Sequence, residues 1–166
     1  MNELFDMLSF IKEKARSNYE DSGHLMPVLF VHTKQGIGIM GIAGDDFVNA
    51  KDQVAYYLRQ LIAQDDLYEY AFLSEGWAVK VKHKSEIDGW LRDHKSLEGF
   101  PGYKEVISLH YASPSKETMA SVVIENKTLM LPWEEHEQTP TDAMRAVAQG
   151  SCRLSGLWAE HNVQYN

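Results

Sequence analysis

An α+β fold, a mostly antiparallel sheet with helices packed on one face, is predicted by three features of the 166-residue sequence. Strand-like runs rich in Val, Ile and aromatic residues follow one another through short turns, which antiparallel strands allow and parallel strands do not. Two stretches carry apolar residues at helical spacing. The length and the 44% hydrophobic, 24% charged composition suit one globular domain spanning 1–166, with no repeat, linker or low-complexity segment.

Leu4, Leu8, Ile11 and Ala15, widened by Phe5, make an amphipathic N-terminal helix with Lys12, Glu13, Lys14 and Arg16 on its other side. Its mixed charge lacks the basic face of membrane-surface helices, so docking against the protein's own sheet is expected. Met26 to Thr33 and Ile37 to Ile42 form a hairpin across Lys34-Gln35-Gly36. Asn49 caps a second helix with the stripe Val54, Ala55, Leu58, Leu61 and Ile62, which ends near Asp65 and Asp66 because carboxylates oppose the dipole there. Tyr68 to Glu75 and Trp77 to Lys82 read as strands separated by Gly76, a turn or a bulge. Residues 85–103 hold a short helix around Ile87 to Asp93 and an irregular loop. Lys104 to Ser113 and Thr118 to Glu125 pair across Pro114-Ser115-Lys116, and Asn126-Lys127 turns the chain into Thr128 to Leu131. Thr139-Pro140 starts another helix, with Met144, Val147 and Ala148 inward before Gly150. Met26 to Leu131 is the expected compact body.

The net charge of −8 disfavours nucleic acid, whose phosphates are bound by Lys and Arg. The one basic strip, Lys80, Lys82 and Lys84, alternates as on an exposed strand edge, where lysine discourages aggregation. A lone Cys152 excludes an internal disulfide and suits a reducing compartment. Glu3 and Asp6 interrupt the first apolar residues, unlike a secretory signal, and no apolar run is long enough to span a bilayer, so a cytoplasmic location is expected.

Gly36-Ile37-Gly38-Ile39-Met40-Gly41 has the G-x-G-x-x-G spacing of dinucleotide-binding turns, but that motif needs a helix to begin within it, and these residues read as a strand. No cofactor is expected. His32, His110 and Glu75 are ligand-type residues without metal-site spacing, Glu134-Glu135-His136-Glu137 reads as a solvated acidic loop, and no metal is expected. Cys152 has no base beside it in sequence, and no serine lies in a G-x-S-x-G elbow.

The most individual segment is Phe72-Leu73-Ser74-Glu75-Gly76-Trp77-Ala78-Val79. With the early Met-Pro strand, the following helix and the later Glu105-Val106-Ile107, it makes the stretch from Met26 to about Ile124 resemble an uncharacterised family of small bacterial and phage proteins. Pro101-Gly102-Tyr103-Lys104 departs from that family's Pro, Asp and Arg pattern. The resemblance implies a mobile-element origin and supplies no catalytic residue.

Ile107, Leu109 and Tyr111 share one strand face, and Ser108 and His110 the other, so the second face is partly polar. A non-enzymatic binding or assembly module is therefore the leading expectation, with Glu75 and Trp77 as candidate binding residues and a homodimer using that second face or the exposed aromatics. The alternative is a small hydrolase with Glu75 as acid or base beside His110 or His32.

Overall fold

The computed structural model describes residues 5–42, 47–79, 81–94, 97–142, 154 and 156–165. The elements run α1 (Met7–Ser22), β1 (Val28–Thr33), β2 (Gly36–Gly41), α2 (Phe47–Ala63), β3 (Leu67–Ala78), α3 (Lys84–Asp93), β4 (Lys104–Ala112), β5 (Glu117–Glu125), β6 (Thr128–Gln138) and α4 (Leu157–Tyr165). The strands form one six-stranded sheet in the order β2-β1-β3-β4-β5-β6, every neighbouring pair antiparallel. The class is thus α+β, as the turn-linked strands require.

Helix α1 starts where the Asp6 carboxylate accepts the Ser9 N–H at 3.2 Å and stops at Gly23, whose φ of 73° suits glycine. Its buried residues, Met7, Ile11, Ala15 and Tyr19, recur every fourth position and pack on Phe30, Ala71, Leu73, Ile107, Leu109 and Tyr111. The expected stripe is thus shared in Ile11 and Ala15, with Leu8 half-buried against the same core, whereas Phe5 is exposed and Leu4 lies outside the described residues.

The opposite face has its own core, in which α2 (Val54, Ala55, Leu58, Leu61, Ile62) and α4 (Leu157, Trp158) cover Leu29, Val31, Tyr70 and Phe72. Helices therefore lie on both faces rather than one. The strands β1 and β3 are apolar at both parities, so each face needs cover. Strands β2 and β3 both run antiparallel to β1, hence parallel to each other, and α2 is the crossover that such a pair requires.

Three further expectations are corrected. β3 continues through Gly76, which pairs with Val106 without a register shift, so Gly76 is neither turn nor bulge. The strand ends at Ala78, and Lys82 lies in a bend and Lys84 at the start of α3, so these lysines do not share a strand face; Lys80 is outside the described residues. α2 begins at Phe47, placing Asn49 inside its first turn rather than at its cap.

β6 runs on to Gln138, turning the expected acidic loop Glu134 to Glu137 into an exposed edge strand, since β5 offers it a full-length partner. A helical turn opens at Pro140, with the Thr139 hydroxyl accepting the Asp142 N–H at 3.2 Å. Met144, Val147, Ala148, Gly150 and Cys152 lie outside the described residues. Among the described residues no helix is long and apolar enough to cross a membrane.

Candidate functional site

Strand parity decides what the candidate side chains can meet. Glu75 alternates with Leu73 and Ala71 on the α1 face of β3. Its Oε1 accepts the N–H of Leu25, in the link between α1 and β1. Glu75 is exposed at the sheet surface but partly desolvated beside this link, which raises its pKa, the Leu25 N–H and nearby His24 opposing in part. Burial also raises the pKa of Tyr19, and the Glu75 charge adds to the shift. Trp77, opposite Glu105 in register, is 39% exposed.

His110 pairs in register with Phe72 and so lies on the other face from Glu75. It is buried, with Nε2 2.8 Å from Oε1 of the equally buried Glu117, whose Oε2 accepts the Gly156 N–H at 2.8 Å. The Tyr70 hydroxyl donates to the Leu154 carbonyl, and its ring stacks on Trp158 with centroids 5.4 Å apart. His110 thus belongs to a polar anchor holding the C-terminal segment on the sheet.

His32 is on the Glu75 face but pairs with Glu69, six positions along β3, which at about 3.3 Å per residue is roughly 20 Å from Glu75. Its Nδ1 lies 2.9 Å from Glu69 Oε2, and Oε1 of the same carboxylate accepts the Tyr111 hydroxyl at 3.0 Å. Burial, then the Glu69 charge, pushes the Tyr111 phenol up to about 12. The structure therefore brings Glu75 together with neither His110 nor His32. The carboxylates that do meet those histidines are Glu117 and Glu69. Their signal was in the hairpin register: Ala112 opposite Glu117 sets Glu117 diagonal to His110.

The concave surfaces lie elsewhere. A groove of about 390 Å³ runs between α1 and the β2 side of the sheet, with Val28, Phe30, Ile39 and Leu73 as its apolar floor and Lys14, Asn18 and His24 in its wall. On the second face, Ser108, Met119, Ser121, Glu134 and His136 line a concavity of about 360 Å³, which reaches Trp77 at the end of β3. Among the described residues no group of three or more His, Cys, Asp or Glu could hold a metal.

The groove opens onto β2, the terminal strand of the sheet. The G-x-G-x-x-G residues form this strand, so they do not make the strand-to-helix turn of a pyrophosphate site. Ile39 is 63% exposed, Met40 45% and Ile37 43%, and Met26 beside them is also exposed. The other edge is different: β6 carries Pro132, Glu134, Glu135 and Glu137. No family model, curated protein or solved structure matches the chain. What the geometry defines is an α+β protein whose sheet has one blunted edge, at β6, and one edge, at β2, left open among the described residues.

Proposed function

We propose that this protein is a non-enzymatic binding or assembly module that takes its partner by strand addition at β2. The observation that carries this reading is the edge itself: six residues with no charge and no proline, their large side chains exposed, and no neighbour beyond them among the described residues. Sheet proteins ordinarily blunt such edges with charge, proline or cover, and β6 has the first two. An extended segment added here gains main-chain hydrogen bonds, and the adjoining groove offers its side chains an apolar floor. No observation favours the hydrolase alternative, whose residues stand on different faces or about 20 Å apart. The mobile-element origin implied by the Ser74-Glu75-Gly76-Trp77 resemblance and the cytoplasmic setting belong to the same proposal.

A random-peptide display selection against the immobilised protein at low surface density tests it. Enriched peptides should be extended, alternating apolar sequences that lose binding to Ile39→Pro, a change that removes an outward N–H at an edge where proline is tolerated. Binding indifferent to Ile39→Pro, or no enrichment against a chain that is monomeric under the same conditions, would overturn the reading.

A further inference from the structure

The hydrogen-bond phase of the hairpin shows which groups the β2 edge offers. The Ile42 N–H donates to the Pro27 carbonyl at 2.8 Å, and β1 and β2 continue in the same register from Val28↔Gly41 to Thr33↔Gly36. Bonded and non-bonded pairs alternate in an antiparallel ladder. Met40, Gly38 and Gly36 therefore turn their N–H and C=O toward β1, and Ile37, Ile39 and Gly41 turn theirs outward.

We infer that the occupant of this edge is a second copy of the chain, paired β2 to β2 antiparallel about a two-fold axis through Ile39. The inference rests on the strand-addition reading above. In this register Ile39 faces its own symmetry mate and Ile37 faces Gly41 of the other copy. Every outward N–H and C=O of the three residues then has a partner, as closed isologous pairing requires.

The side chains agree with the backbone. Directly opposite residues point to the same face, so Ile37 lies over Gly41 of the partner copy and Met40 over Gly38. Each large residue meets a glycine. On one's own chain Gly41 already has close apolar cover: a Cβ there would come within 2.8 Å of the Met26 methyl, so Met26 also lies beside the incoming Ile37. Ile39, which lines the groove, brings the two grooves side by side across the axis. Although each copy carries −8, β2 holds no charge, so the pairing sets no like charges opposite one another. The product is one continuous sheet whose outer edges are both β6, the edge that bears proline and glutamates.

Sedimentation equilibrium of the full chain, with cysteine mapping of the register, tests the inference. The wild type should reach the dimer mass, and Ile39→Pro should dissociate it at least about thirtyfold, from the loss of two main-chain hydrogen bonds across the axis. In a Cys152→Ser background, Ile39→Cys should oxidise to a covalent dimer, because directly opposite Cα atoms of a bonded pair are about 5.5 Å apart. Met40→Cys, two positions out of register with its mate, should not. A monomer at millimolar concentration overturns the inference, and so does a dimer that tolerates Ile39→Pro or cross-links through Met40→Cys and not Ile39→Cys. Peptide binding at β2 by a chain that stays monomeric would leave the strand-addition reading standing and remove only the second copy.

Discussion

Glu75→Gln keeps an acceptor for the Leu25 N–H while removing the charge that partial desolvation opposes. A carboxyl whose pKa is raised by folding binds its proton more tightly in the native state, so its ionisation lowers stability as pH rises through the window just above the ordinary carboxylate value. Glu75→Gln should therefore leave stability at neutral pH unchanged or raised and flatten the decline above about pH 4.5, as read from thermal melts across pH. Marked destabilisation at neutral pH would show instead that the charge itself holds the α1–β1 link. The sequence makes part of this legible: Ala71, Leu73 and Glu75 alternate, so the carboxylate heads for an apolar face and needs a partner. The partner is not legible, because Leu25 lies 50 residues away and is brought close only by the β1–β3 register. The same limit applied to His110, whose parity was readable but whose cover by the C-terminal segment was not.

At the scale of elements, the turns are the best-read features. Asn126 and Lys127 have φ of 50° and 60°, the left-handed geometry of a two-residue hairpin turn. Asn tolerates it and Lys does not, so Lys127→Gly should stabilise the protein by about 1 kcal/mol in denaturant titration. The hairpins β1–β2 and β4–β5 were legible for the same reason, since Lys34-Gln35-Gly36 and Pro114-Ser115-Lys116 interrupt apolar runs. Strand lengths were less so. Gly76 reads as a break because glycine weakens an isolated strand, yet β1 and β4 flank β3, and β4 carries the ladder through it. Pro132 and the glutamates hid the length of β6 in the same way, because proline and charge suit an edge strand as well as a loop.

Over the whole molecule, two cores on opposite faces replace the single covered face that the sequence suggests. Fold class was legible from turn-linked strands; the second core was legible only in the α2 stripe and not in its remaining lid, Leu154, Leu157 and Trp158, which lies in the least patterned stretch of the chain. That lid is held by Glu117, so Glu117→Ala, which removes two buried hydrogen bonds, one with His110 and one with the Gly156 N–H, should cost about 3 kcal/mol. It should also raise the fluorescence of a hydrophobic dye before global unfolding, as Tyr70 and Phe72 lose cover; a purely global transition would contradict that assignment. The same arrangement sets an order of completion during synthesis. The α1-side core closes with residues no later than Trp133, whereas Tyr70 waits for Leu154, 84 residues after it. A nascent chain therefore presents a finished β2 edge beside an aromatic face that α2 covers only in part, and release before Leu154 to Trp158 arrive would yield a sheet prone to indiscriminate association.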